Sequence, residues 1–509
     1  MTQARAARAA IGARMVVLTV VLALLTPGCG NQTASNDTGP NQTGPNQTAP
    51  SRTVGPASPA ASAPGPNETG PGTAGPSVTV PGLPSARRPA DSAASNGRPT
   101  APTRRPPPRS APPPLPPPSS APAAPPQAFV SAADQLAAAR AVAAMTPAQR
   151  AGSVIMASSA DAVGSDLVRR LHLGGVILMG REGTVDGTTA GTPTQVAAVT
   201  AALAAQATPG APLLIGTDQE YGDVVRLVNG FTAFPGASVL AGKDDPALVT
   251  RVAAAAAAEL LAVGVTVDFA PDADLLPTDG ASAIGNRSYG SQPDRVAAFV
   301  AAAVRGYQSA GLVATLKHFP GIGRLATDTH TALPSLDTGC AAWNAAERVP
   351  MAAGVTAGVA MVMTGHVRLP AVGDTEDPTS LSAAAVADLL RGTGRHGCRG
   401  LGFTGVAVTD SLQMAPVADK YGSGAAAVRA LQAGQDLVLM PVNPAAAVAG
   451  ITAAVTAGTL PAARLAEAAT GVYALRLATG RVPRPALAVI DSAAHRALAE
   501  QAGGPAVSG

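Results

Sequence analysis

Two histidines, a lysine and an aspartate fall within the fourteen residues KHFPGIGRLATDTH, Lys317 to His330. Pro320, Gly321 and Gly323 interrupt the stretch. Proline removes a helix donor and glycine loosens the backbone, so the segment reads as a loop. It follows directly on the apolar run LVATL, the pattern of a buried strand. Polar groups gathered just beyond such a strand are how α/β enzymes mount a site on a rigid frame. An imidazole titrates near neutrality and can give and take a proton. Asp328, two residues before His330, is placed to accept a hydrogen bond from that ring and to steady its cationic form. The chain therefore reads as an enzyme, with this loop in its site.

Such groups need elements to position them. From about Phe129 to Leu477 short apolar runs alternate with Ala-rich stretches of helical composition. The runs are SVIMAS (153–158), GGVILMG (174–180), PLLIGTD (212–218), VTVDFAPD (265–272), VATLKHFPG (313–321), VAMVMTGHV (359–367), GVAVTDSL (405–412) and DLVLMPV (436–442). They are near-continuous in Val, Ile, Leu and Met, as parallel strands covered on both faces should be. Eight of them predict an α/β fold with a (β/α)8 TIM-like barrel over residues 128–480 and a C-terminal tail over 481–509. An open doubly wound sheet is the alternative, because periodicity does not show closure. Asp218, Asp272, Lys317, His318, His366 and Asp410 stand at C-terminal ends of these runs, which in a barrel share one face. Asp272 is expected to be a cap or a satisfied strand-end group, and His366 a support. Asp410, taken alone, is either a helix N-cap before LQM or a nucleophile.

The first quarter of the chain has a different composition. Arg5, Arg8 and Arg14 precede the apolar stretch Met15–Leu25, an export-signal layout too short to span a bilayer, giving a signal peptide over 1–28. The sequence LTPGC that follows resembles the lipidation site of bacterial lipoproteins, with Cys29 as acceptor; ordinary cleavage and secretion is the alternative. Residues 29–127 are a low-complexity tether rich in Pro, Ala, Ser, Thr and Gly, which cannot bury enough apolar surface to fold. Partly extended, it would reach at most roughly 300 Å. The expected location is therefore exported, on the outer face of the cell membrane through a lipid anchor or secreted. A net charge of +3 without a basic cluster in the folded part argues against a nucleic-acid partner. Of the three cysteines, Cys340 and Cys398 are left either as a disulfide or as two separate thiols.

With GTDQEYGDVVRL, IGNRSYG and GVAVTDSLQM, the loop KHFPGIGRLATDTH resembles glycoside hydrolase family 3. Its pattern K-H-F-P-G-x-G-x4-D-[S/T]-H is similar to that of the family's single-barrel bacterial β-N-acetylglucosaminidases of the NagZ type. The resemblance covers about Met145 to Leu477. It implies that Asp410 is the nucleophile of a retaining β-N-acetylglucosaminidase, His330 the general acid/base and Asp328 its partner. It implies that Asp218, Arg226, Arg287, Lys317 and His318 bind the terminal sugar of a cell-wall glycan, with no cofactor. Ile322, Arg324 and Tyr221 depart from the family's usual residues. Tyr221 and Arg324 are expected to alter what fits beyond that sugar. The chemistry agrees in kind, since retaining glycosidases pair an attacking carboxylate with a proton-transfer group.

Other readings stay open at this point. A phosphorylase on the same scaffold, a β-glucosidase or β-xylosidase, and a non-catalytic glycan-binding lipoprotein each fit part of the pattern. A metal site through His318, His330 and Asp410 finds no zinc-type spacing to support it, and no metal is expected.

Overall fold

The structure, a computed structural model, describes residues 129–180 and 191–505. The export signal, Cys29 and the tether lie outside the described residues. Each of the eight apolar runs contains one strand. The strands are β1 (Ile155–Ser158), β2 (Gly175–Leu178), β3 (Leu214–Thr217), β4 (Val267–Asp268), β5 (Val313–Phe319), β6 (Met361–Thr364), β7 (Val406–Thr409) and β8 (Val438–Leu439). All are parallel, and each pairs with its neighbour in sequence, while β8 also pairs with β1 through Ile155–Val438 and Met156–Leu439. A bridge between Val408 and Leu437, with Thr409 N–H donating to Leu437 O at 3.1 Å, joins β7 to β8 and closes the sheet. The expected barrel is thus formed, and the open sheet is excluded.

Helices cross from strand to strand on the outside, among them Pro193–Ala204, Pro246–Ala262, Pro293–Ser309 and Ser423–Ala433. Their starts are written in the sequence. Thr192 and Gln195 form a capping box, and Asp245 accepts from Ala247 N–H and Leu248 N–H, each ahead of a proline in the first turn. Strand side chains split by parity. Ile155, Ala157, Val176, Leu178, Ile215 and Ala314 pack outward under the helices. Met156, Ile177, Leu214, Val267, Phe269, Val313, Met361, Val406 and Val408 form a separate cluster that fills the barrel. Gly216 belongs to the inward set: a Cβ there would meet Phe269 Cε2 at 2.8 Å.

Two expectations need correction. Lys317 and His318 lie within β5, not on the loop that follows it. Residues 481–505 pack on the barrel: the helix Ala493–Ala502 buries Ala499 and Ala502, and His495 Nδ1 lies 2.7 Å from the buried Glu259 carboxylate. That carboxylate also accepts from Thr232 N–H and Asp491 N–H, so it ties the last segment to the barrel wall.

Candidate active site

The inward parity of the strands delivers the site. Leu214, Gly216 and then Asp218 face inward along β3; Val313, Thr315 and Lys317 along β5; Val406, Val408 and Asp410 along β7. Each run ends on a residue lining one cavity of about 480 Å³ at the C-terminal ends of the strands. Met179, Met363 and Leu439 line it at the ends of β2, β6 and β8. Strict alternation would send His318 to the outside. The register of β5 against β6 shifts between Leu316 and Phe319, and His318 lines the cavity beside Lys317.

One side of the cavity is a network of fixed charges. Lys317, only 2% exposed, sets its Nζ 3.0 Å from Asp218 Oδ1 and 2.5 Å from Glu220 Oε1. Arg287 grips Glu220 with two N–H donors, at 2.7 and 2.9 Å. Arg226 Nη2 lies 3.4 Å from Asp218 Oδ2, and its Nε has no hydrogen-bond partner among the described residues. The loop that brings Arg226 there is folded by Gln219. Its side-chain oxygen accepts from Arg226 N–H and Leu227 N–H, while its amide donates to Leu227 O at 2.9 Å. Burial works to raise the Glu220 carboxyl, but the Lys317 and Arg287 cations outweigh it and hold the group below the ordinary glutamate range. Burial likewise opposes the charge on Lys317, and Glu220 and Asp218 more than restore it. These are donors and acceptors of fixed charge, suited to sugar hydroxyls.

Behind this network lie two aspartates. Asp274 Oδ2 sits 2.7 Å from His318 Nδ1, and its Oδ1 accepts from Ile322 N–H at 2.6 Å. His318 Nε2 faces Arg287 Nη2 at 3.3 Å, so both imidazole nitrogens are engaged within the protein. Asp272 accepts from Asp274 N–H at 2.8 Å, as a turn cap does, yet its other oxygen faces Arg287 at 3.7 Å. Burial, and then Asp274, push its carboxyl well up. Asp272, Asp274 and His318 are also the group of metal-ligand type that the described residues bring together. Arg287 occupies the approach to it, and Asp274 is already engaged by His318 and Ile322, which fits an internal brace and not a metal centre.

The reacting groups stand at the ends of β7 and the β5 loop. Asp410 accepts from Ser411 N–H at 2.7 Å and is no helix cap, since the next helix begins at Ala415. Burial would raise its carboxyl; the imidazoles of His366, His318 and His330 and the Ser411 N–H more than offset this and hold it low. His366 is fully buried, with Nδ1 2.7 Å from Ser380 Oγ and Nε2 2.8 Å from Ser411 O, and so braces the Asp410–Ser411 peptide. Burial lowers its pKa. His330 Nδ1 lies 2.7 Å from Asp328 Oδ1, which also accepts from His330 N–H at 2.9 Å. That backbone bond, ahead of the side-chain one, lowers the Asp328 carboxyl. The His330 side chain is 68% exposed, and its carbonyl accepts from Ala415 N–H at 3.1 Å, which fastens the loop beside Asp410's strand end.

Every residue expected to react or to bind the sugar lines this one cavity: Asp218, Arg226, Arg287, Lys317, His318, Asp328, His330 and Asp410. Glu220, Asp274 and Gln219 were missed. Glu220 has a signal in the sequence, since Arg226, Arg287 and Lys317 at the expected sugar site face Asp218 as the single carboxylate there. Tyr221 and Arg324 do not line the cavity. Tyr221 is buried edge-on against Phe234, and Arg324 pairs with Glu347. Cys340 and Cys398 are joined in a disulfide.

Comparison with known proteins agrees with this geometry. The model of the glycosyl hydrolase family 3 N-terminal domain matches residues 140–475. A β-hexosaminidase A from Pseudoalteromonas piscicida is 32% identical over 55% of the chain, which spans 47% of that relative's length. The β-hexosaminidase LpqI of Mycobacterium tuberculosis is 32% identical over 67% of this chain and 84% of its own. The structure of a family 3 β-N-acetylglucosaminidase from Paenibacillus superposes with a TM-score of 0.64 at 35% identity, over 70% of this chain and 68% of that one. A barrel with Asp410 at a strand end and a His–Asp pair on the neighbouring loop, matched along its length in this way, is a glycoside hydrolase, and the chain belongs to glycosyl hydrolase family 3.

Proposed function

We propose that the chain is an exo-acting, retaining β-N-acetylglucosaminidase, with Asp410 as nucleophile and His330, backed by Asp328, as acid/base. The observation that carries this reading is the presence of Asp410 and the Asp328–His330 pair in one cavity with the Asp218–Glu220–Lys317–Arg287 network. At about 480 Å³ the cavity is of ligand-pocket size and suits a single terminal sugar. The Asp410 carboxylate, ionised at neutral pH, attacks the anomeric carbon while the imidazolium of His330 gives its proton to the departing oxygen. The neutral imidazole then takes a proton from water, which attacks the same carbon and frees Asp410. Asp328 holds the ring through Nδ1 and stabilises its cation in the first step. The cationic frame binds hydroxyls and exchanges no proton.

The proposal extends to location and substrate: export, a lipid on Cys29, and N-acetylglucosamine-bearing cell-wall fragments as the glycan. The LTPGC sequence and the Pro-rich stretch support the first two, and the sugar specificity of the named relatives supports the third. The decisive assay sets the full-length protein against aryl β-N-acetylglucosaminide and aryl β-glucoside, with Asp410→Ala alongside. Turnover of the acetamido sugar, lost in the variant, is expected. Near-normal activity in Asp410→Ala would end the assignment, as would turnover of the glucoside alone for the sugar.

A further inference from the structure

The loop that carries His330 is built in two halves. The first, residues 320–325, is tied down from several sides. Pro320 O accepts from Trp343 Nε1–H at 2.9 Å, and Gly323 O accepts from Ser282 Oγ–H at 2.6 Å. Ile322 N–H donates to Asp274 at 2.6 Å, and Leu325 O accepts from Ala283 N–H at 2.9 Å. The second half, residues 326–329, has among the described residues no hydrogen bond to another element until Ala415 reaches His330 O. The reach of the acid/base is therefore set where the tethered half ends.

Arg324 stands at that end. Its Nε lies 2.9 Å from Glu347 Oε1, and Glu347, 2% exposed, immediately precedes the helix Arg348–Thr356 that covers the barrel. Glu347 is packed hard under the loop: a Cβ on Gly321 would come within 2.8 Å of its Cγ. Burial raises the Glu347 carboxyl, and Arg324 is the cation that opposes this. Among the described residues Glu347 has no other ion-pair partner and neither of its oxygens accepts a hydrogen bond, so Arg324 holds it by charge. The pair joins a buried wall residue to the last tethered turn before the acid/base arm.

We propose that the Arg324–Glu347 pair is the latch that sets the height of the acid/base loop over Asp410, which makes Arg324 a positioning residue for proton transfer by His330. This rests on the glycosidase reading given above. Without the latch the loop keeps its backbone ties but the arm swings more widely. Misplacement by about 1 Å costs as much as 10²-fold in a reaction that depends on the misplaced group. The loss falls on substrates whose leaving group needs a proton and spares those that leave unaided.

The test compares the full-length wild type with Arg324→Met and with Arg324→Met/Glu347→Gln. The double variant leaves no buried carboxylate unpaired and guards against loss of folding. With an alkyl N-acetylglucosaminide kcat/KM is expected to fall about 10–100-fold. With the dinitrophenyl glycoside it should fall less than about threefold, because that phenolate needs little proton donation. Amide hydrogen exchange over residues 322–330 should quicken in both variants while the strands keep their protection. Equal losses on both substrates, or unchanged kinetics and exchange in the variants, would overturn the latch while leaving the glycosidase standing. A wild type inactive on both glycosides would count against the glycosidase reading, and unchanged loop exchange would then remove the latch independently.

Discussion

Glu220 offers the sharpest test of the charge network. Its side chain is 4% exposed and lies between Lys317 at 2.5 Å and Arg287 at 2.7 Å. Glu220→Gln keeps the shape and one acceptor but removes the charge. Lys317 then retains Asp218 at 3.0 Å, and Arg287 retains Asp272 at 3.7 Å and the His318 ring at 3.3 Å. Two unit charges about 4 Å apart interact by about 4 kcal/mol at an effective dielectric near 20, and Glu220 faces two of them. Breaking a buried pair from one side costs about 3–5 kcal/mol, and the retained amide contacts put the expected loss near the lower figure. That corresponds to a fall in Tm of about 4 °C for a domain of this size. The pH dependence follows from the same contacts. The folded carboxyl lies below its ordinary value of 4.5, so its stabilisation is fully present above that pH and fades as the pH falls beneath it. Thermal unfolding of both proteins at pH 7 and pH 3 should show a gap that narrows in acid. Equal Tm values at pH 7, or a gap of the same size at pH 3, would refute the account of Glu220 as an ionised clamp.

Other perturbations bear on other parts of the molecule. His330→Ala should lower kcat/KM by about 10²–10⁴-fold on poor leaving groups and much less on dinitrophenolate, read by initial rates across a leaving-group series. Equal losses across the series would remove His330 as the acid. Reduction of the Cys340–Cys398 bond, which closes a separation of 58 residues, should cost about 2–4 kcal/mol in denaturant unfolding; Cys398→Ser should match it. Gly216→Ala places a methyl 2.8 Å from Phe269 Cε2 inside the barrel. It should destabilise by about 1–3 kcal/mol in the same assay, and Phe269→Leu should relieve part of that.

What the sequence determined by itself was local or periodic. Eight apolar runs without alternation marked parallel strands buried on both faces, because each strand must be apolar toward the barrel and toward its helices. The break at Pro320 was readable because it acts on its own few residues of backbone. The dyad of Asp328 and His330 was legible because two residues of separation bring its atoms together in a turn. Closure through Val408 and Leu437 was decided by the tertiary structure, as it depends on the summed tilt of all eight strands. So was the place of His318, which the register shift in β5 turns inward against the alternation of its neighbours. The Glu220 clamp joins the ends of β3 and β5 with a residue from beyond β4, and Glu347 reaches Arg324 from a helix start. Such charges are balanced only where the strand ends converge, and no spacing along the chain records that convergence.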